Sequence, residues 1–304
     1  MKKLVFIGVI LAAVGVVVGL ILSAPKPLSN AFLSKLPEGN VASGEQVFWA
    51  GGCTSCHAAP KSKGVEKLVL SGGLELKTPF GIFRTPNISP HELQGIGGWS
   101  LGDFANAMKR GLRPDGAHYY PAFPYTTYTK MADKDVADLW AYMKTLPKSS
   151  KQVGDHSISF PFNIRRGLGL WKFLYLSSDP VLSVDETDKP LLRGRYLVEA
   201  LAHCGECHTP RNSIGGMDKT RWLAGGVGPE GKEKIPNITP HKDGLGDWSV
   251  ADIINGLETG FTPEYDSFGS SMADVQENMA KLSDGDRAAI AAYLKIVPPI
   301  KGKP

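Results

Sequence analysis

The chain has 304 residues, 42% hydrophobic and 21% charged, which is the composition of packed globular protein and enough length for two ordinary domains. Its formal net charge is +4, and two of those positive charges, Lys2 and Lys3, stand at the extreme N-terminus. The remainder is close to balanced, which argues against a nucleic-acid surface.

Residues Leu4 to Leu22 read LVFIGVILAAVGVVVGLIL without a single charge. About 20 apolar residues cross a bilayer as a helix, and Lys2 and Lys3 ahead of them belong on the cytoplasmic side. A cleavable signal peptide is the competing reading, but a cut after Ala24 would put Leu22 where a small residue is wanted. Residues 1–24 are expected to be a transmembrane anchor or signal segment, retention being preferred, with everything after Ser23 outside the cytoplasm.

Beyond this segment the sequence repeats itself at a spacing of about 150 residues, far longer than a solenoid repeat. GEQVFWAGGCTSCH from Gly44 matches GRYLVEALAHCGECH from Gly194, PNISP from Pro86 matches PNITP from Pro236, GIGGWS from Gly95 matches GLGDWS from Gly244, and AYMKTLP ending at Pro147 matches AYLKIVP ending at Pro298. The order is kept throughout, as a duplicated domain would keep it. Copies over residues 40–150 and 191–301 are expected, joined by a linker at 151–190.

Each copy carries three helical patterns. The first runs into a cysteine motif, and in copy one Ser43 and Gln46 make a capping box. The second starts at Ser100 or Ser249, with Asp103 or Asp252 in its first turn and Gly111 or Gly260 at its end. The third has apolar residues at helical spacing, Val136, Leu139, Trp140 and Met143 in one copy and Ile290, Tyr293 and Leu294 in the other. Pro147 and Pro298 stop it. No run of alternating strands is evident, so the fold class is all-α. Within the linker, SFPFNIRRGLGLWKFLYL from Ser159 to Leu176 reads as a short helix packed in the seam between copies. A second membrane contact is the rival, weakened by Arg165, Arg166 and Lys172.

All four cysteines fall in two copies of one pattern, Cys53-Thr-Ser-Cys56-His57 and Cys204-Gly-Glu-Cys207-His208. C-x-x-C-H is the spacing of c-type haem attachment. Each thiol adds to one vinyl group of the porphyrin, and the adjacent histidine reaches the iron as proximal ligand. A thioredoxin-like site would need a βαβ context. Two disulfides would leave both histidines without a reason. One zinc held by four cysteines does not suit two motifs in register with a whole-domain repeat. Two haem c groups, each with its iron, are therefore expected.

Trp99 and Trp248 could donate an indole N–H to a propionate or simply fill the core. Arg84 and Arg211 could pair with propionates or stand in solvent, and Asn87 and Asn237 could fix the loops they sit in.

These residues resemble a known family. GGWSLGDFANAMKRGLRPDG, HYYPAFPY, FPFNIRRGLGLWK and RGRYLVEALAHCGECHTPRN together look like the cytochrome c subunits of membrane-bound alcohol, aldehyde and gluconate dehydrogenases, from about Gly44 to Pro298. The resemblance implies two tandem class I cytochrome c domains after an N-terminal transmembrane helix. It implies a single-pass protein of the bacterial inner membrane with its body in the periplasm. A dehydrogenase catalytic subunit would be the partner, and quinone or another cytochrome the acceptor. It also implies a methionine about ten residues before the last helix as the other axial ligand: Met272 in copy two, with Met279 as rival. In copy one Phe123 stands where relatives often have methionine, leaving Met131, His118 or an open site. An enzyme reading, a di-haem peroxidase or a sulfur-compound oxidoreductase, rests on that departure.

Overall fold

The computed structural model describes residues 1–231 and 233–302. Helices dominate it. α1 (Lys2–Leu22), 21 residues, is long and apolar enough to cross a membrane, and none of its residues is buried. A short helix, α2 (Asn30–Leu33), leads into the first half of the body. There α3 (Val41–Ala50) is followed by α4 (Cys53–His57), α5 (Leu101–Arg110), α6 (Tyr125–Tyr128) and α7 (Asp133–Met143). After α8 (Gly167–Tyr175) the second half presents α9 (Lys189–Tyr196), α10 (Gly205–His208), α11 (Val250–Thr259), α12 (Ser271–Met279) and α13 (Asp284–Ile296) in the same order.

Local signals decide many of these boundaries. Ser100 and Asp103 form a capping box at α5, and Ser249 and Asp252 form one at α11. Gly111 and Gly260 end the two helices with φ of 57° and 80°, a left-handed conformation that costs a residue with a Cβ. The start of α3 differs from the sequence reading. Its N-cap is Asn40, whose side chain accepts from the Ser43 N–H at 2.9 Å, in place of a Ser43–Gln46 box. The Asn40 N–H itself donates to Asp138 on α7 at 2.6 Å, so a tertiary contact chooses where the helix begins.

The core of each half is one helix crossing. α3 lies on α7 through Val47, Phe48, Val136, Leu139 and Trp140, and α9 with its continuation lies on α13 through Leu197, Leu201, Ile290, Tyr293 and Leu294. At both crossings a glycine lets the backbones touch. A Cβ on Gly44 would sit 2.0 Å from the Asp138 carbonyl oxygen, and one on Gly194 would sit 2.0 Å from that of Ala289. Gly194→Ala is therefore expected to force the helices apart and destabilise the protein by about 1–3 kcal/mol, as overpacking does. Gly154→Ala, with nothing within 4 Å of the added atom, is expected to be near neutral in the same denaturant titration.

The halves differ by one residue ahead of the motif. Nine positions separate Gly44 from Cys53, and ten separate Gly194 from Cys204. The extra residue is absorbed in a π-helical turn at Leu197–Leu201, the usual way a helix takes up a single insertion. Glu199 in that turn is 2% exposed and accepts from the Val181 and Leu182 N–H groups and the Tyr293 hydroxyl.

The sequence reads as all-α, but two small antiparallel sheets are present. β1 (Glu75–Thr78) and β2 (Gly81–Arg84) form a hairpin that pairs with β3 (Ser157–Ile158), and β4 (Gly226–Val227) pairs with β5 (Lys234–Ile235). Segments of two to four residues are too short to show a periodicity, and β3 is recruited from far along the chain.

Candidate haem-binding site

Each C-x-x-C-H motif coils into a short helix set up by a left-handed residue, Gly52 (φ 60°) before α4 and His203 (φ 43°) before Cys204. The turn places both cysteines and the histidine of a motif together. In each case the histidine ring is then fixed by a loop carbonyl. His57 Nδ1 lies 2.9 Å from the Pro86 oxygen and His208 Nδ1 lies 2.8 Å from the Pro236 oxygen. A carbonyl only accepts, so Nδ1 carries the proton and Nε2 keeps its lone pair for a metal. Burial holds both imidazoles below their ordinary pKa, hence neutral, as a metal ligand must be.

Those prolines open the repeated PNI turns, and the asparagines that follow hold the turns in place. Asn87 accepts from the Ser89 N–H and donates to the Ser149 and Lys151 carbonyls; Asn237 accepts from the Thr239 N–H and donates to the Ile300 carbonyl. The loop-fixing role read for Asn87 and Asn237 is what they perform. The orienting role of Pro86 and Pro236 was not legible, because it belongs to a backbone oxygen.

The two motifs meet. Thr54 of the first donates to Asn278 on α12 at 2.8 Å, and Asn278 in turn donates to Ser55 at 2.9 Å. Glu206 of the second accepts from Thr126 and Thr127 on α6 at 2.7 and 2.6 Å and pairs with Arg211. α12 of the second half thus grips the first motif, and α6 of the first half grips the second. His203 and Tyr128 both reach the Gly51 carbonyl, and their rings stack edge to face. Burial alone would raise the Glu206 carboxyl, but Arg211 and the Thr127 and Thr126 hydroxyls outweigh it and hold it below its ordinary range. The thiols of Cys56 and Cys207 keep an exposed edge. They are still surrounded enough that burial first, and the neighbouring Cys207 second, push Cys56 up to about 11. Asn278, 1% exposed, has no water to replace its partners. Asn278→Leu is expected to cost roughly 1–3 kcal/mol by leaving the buried Thr54 hydroxyl unpaired and removing one of the two bonds of Ser55, which keeps the Asp274 carbonyl, read as a lower denaturation midpoint.

The loops after α5 and α11 show where the halves part. Bridges at Leu112–His118 and Phe261–Ser267 close equivalent turns. Five residues beyond each bridge stand Phe123 in the first half and Met272 in the second. Met272 opens α12 and is half-buried, whereas its rival Met279 is 2% exposed and packed in the core. Phe123 is wedged among Tyr119, Tyr125 and Tyr128, with ring centroids 5.5–6.3 Å apart. Met131 is 2% exposed, also in the core. His118 spends both ring nitrogens on the protein, Nε2 donating to the Ser23 carbonyl at 3.0 Å and Nδ1 accepting from Lys172 Nζ at 3.1 Å. Arg84 pairs with Glu75 and the Asp155 carbonyl, and Arg211 with Glu206, so neither is a free loop arginine.

The donor set fits haem c twice over: two thiols and a neutral imidazole with Nε2 uncommitted, in each half. Beside the second motif, Trp222 packs on Gly205 and its buried indole N–H finds no acceptor among the described residues.

Comparison with known proteins agrees. The cytochrome c family profile matches residues 41–147. A "Diheme cytochrome c-type" protein of Cereibacter sphaeroides is 50% identical over 99% of this chain and 100% of its own length. The chain belongs to the di-haem c-type cytochromes. This di-haem cytochrome carries two haem c groups, which supply a one-electron Fe(II)/Fe(III) couple. It is also 36% identical to the fructose dehydrogenase cytochrome subunit of Gluconobacter japonicus, over 85% of this chain and 53% of that one. The cytochrome c subunit of the quinone-type alcohol dehydrogenase of Gluconobacter oxydans is 34% identical over 86% and 56%. The di-haem cytochrome therefore spans little more than half of those dehydrogenase subunits.

Proposed function

We propose that this cytochrome is an electron-transfer subunit: it takes electrons one at a time from the catalytic subunit of a dehydrogenase and passes them to quinone or another respiratory cytochrome. Its body comprises two tandem class I cytochrome c domains, 40–150 and 191–301, descended from a duplication and joined by 151–190. α1 holds it in the bacterial inner membrane by a single pass, with the body in the periplasm. Cys53 and Cys56 bind the first haem and Cys204 and Cys207 the second, with His57 and His208 as proximal ligands and Met272 as the sixth ligand of the second iron. Met131 or His118 is the residue to test at the first.

The observation that carries this reading is the reciprocal grip across the two attachment motifs. It supports the reading because it brings the two C-x-x-C-H motifs to one interface, where haems bound to them would lie close enough for an electron to cross within a single chain. Flash photoreduction tests it. One phase of haem reoxidation and reduction should be independent of protein concentration, and Asn278→Leu should slow it. A trace whose every phase scales with concentration would mean that the haems do not communicate within the chain.

Phe123 supports a second reading. A first haem without a thioether could take peroxide or a sulfur compound at an open iron, making the protein a di-haem redox enzyme.

A further inference from the structure

α8 is an amphipathic helix turned outward. Leu170, Phe173 and Leu174, at i, i+3 and i+4, form one stripe, and they are 41%, 63% and 64% exposed. The opposite face holds Gly169 and Lys172. Lys172 is 8% exposed, and its ammonium donates to the Arg110 and Gly111 carbonyls at 2.7 and 2.6 Å and to His118 Nδ1 at 3.1 Å. A helix on a water-facing surface buries its apolar stripe and shows its lysine. This one does the reverse, and the preceding turn continues the stripe with Phe160 and Ile164, also exposed. The two arginines that interrupt the run are also hydrogen-bonded to protein, Arg165 half-buried and Arg166 still exposed. Arg165 donates to the His118 carbonyl and lies over the Tyr120 ring, and Arg166 donates to Ser23 Oγ at 2.9 Å and the Leu20 carbonyl at 2.7 Å.

The stripe lies beside the exit of α1. Gly169 packs so closely on Ser23, one residue past the end of α1, that a Cβ would meet its carbonyl at 2.2 Å. Leu22 and Ala24 at the exit of α1 and Phe173 and Leu176 of α8 and its end line one cavity, which Arg110 and His118 of the first half also border.

We infer that α8 and the Phe160–Ile164 turn form a monotopic membrane contact, lying in the headgroup–acyl boundary of the phospholipid bilayer next to α1. The inference rests on the reading that α1 spans the membrane. The bilayer is the occupant because α1 ends one residue before the Ser23 contact. An anchored chain therefore delivers this face to the lipid surface at a very high effective concentration. A contiguous apolar stripe exposed on one helix face, with the polar groups of the other face satisfied by protein, is what an interfacial helix lays into lipid. With α1 and α8 both engaged, the body is held in one orientation over the membrane, which a lone anchor on a flexible tether would not achieve.

The test uses the full-length, haem-loaded protein in nanodiscs of phosphatidylethanolamine and phosphatidylglycerol. The four native thiols are taken up in thioether bonds, so an introduced cysteine is the sole target for a nitroxide spin label. Phe173→Cys and Leu174→Cys report on the stripe, Val14→Cys on the middle of α1, and Val227→Cys, an exposed site on the second half, on water. Power saturation compares collision with oxygen, which concentrates in lipid, and with a water-soluble nickel chelate. Labels at 173 and 174 are expected to favour oxygen several-fold more than the label at 227, and to approach the label at 14. If 173 and 174 match 227 while 14 remains in lipid, the interfacial contact is wrong and the anchor stands. If the labels at 173 and 174 are shielded from both reagents, protein rather than lipid covers the stripe, and the inference also fails. If the label at 14 collides with nickel, or mass spectrometry finds the N-terminus removed, the anchor reading itself falls and the contact with it.

Discussion

Cells that mature c-type cytochromes should yield this chain with two haems that survive acid–acetone extraction, and the Cys204→Ser/Cys207→Ser double variant should retain one. The expectation follows from two complete motifs, each with an imidazole whose Nε2 is kept free by the Pro86 or Pro236 carbonyl. The effect on stability should be large as well as compositional. A covalently held haem stays on the unfolded chain, but its histidine ligation and its burial among apolar side chains exist only in the folded state and so add to folding stability, and each motif sits at the interface between halves. The double variant is therefore expected to lose the second half's packing and to weaken the grip of Thr126 and Thr127 on Glu206. A pyridine haemochrome assay gives the count, and denaturing electrophoresis with haem staining gives the covalency. One haem per wild-type chain would defeat the two-site assignment. Two in the double variant would show that the second site does not depend on those thiols.

Met272→Ala should change one haem and leave the other alone. Axial ligands move haem potentials over a range of roughly 0.8 V, and thioether sulfur favours the reduced iron. Loss of Met272 is thus expected to lower one of two distinct midpoint potentials, by on the order of 0.1 V or more. Near-infrared magnetic circular dichroism should show the sulfur–iron band disappear with it. Phe123 holds the matching position in the first half, five residues beyond the bridge at His118. Phe123→Met is therefore expected to raise the other potential. His118→Ala and Met131→Ala identify the first haem's partner by which of them alters its spectrum. For His118 to bind iron, its ring must first surrender the Ser23 carbonyl and the Lys172 ammonium. A carrier should show two six-coordinate, low-spin irons that resist cyanide and peroxide. One high-spin iron that turns over peroxide would promote the enzyme reading.

The features legible in the sequence share a property: their physics is local. C-x-x-C-H states its chemistry within five residues. The boxes at Ser100–Asp103 and Ser249–Asp252 and the glycines at 111 and 260 fix helix ends through contacts a few residues long. The spacing of Val136, Leu139, Trp140 and Met143, and of Ile290, Tyr293 and Leu294, marks faces that are indeed buried. The departure at Phe123 was visible by aligning one half with the other.

The repeated segments, the two C-x-x-C-H motifs, the helix ends and the apolar N-terminal run are all legible in the sequence, because each is encoded in neighbouring residues or in periodic spacing. The rest depends on groups that folding brings together from distant parts of the chain. Asn40, not Ser43, caps α3, because Asp138 on a distant helix holds its N–H. The Pro86 and Pro236 oxygens orient the histidines, a task that any residue's carbonyl could perform and no side chain announces. Asn278, Thr126, Thr127 and Glu206 lock the halves together only once the halves are docked. In α8 the spacing reveals an apolar stripe but not which way it faces. Three acceptors, two of them carbonyls from the end of α5, draw Lys172 inward, and that choice turns Phe173 and Leu174 outward. A pattern of side chains fixes a helix's two faces; the polar groups waiting beneath it decide which face goes down.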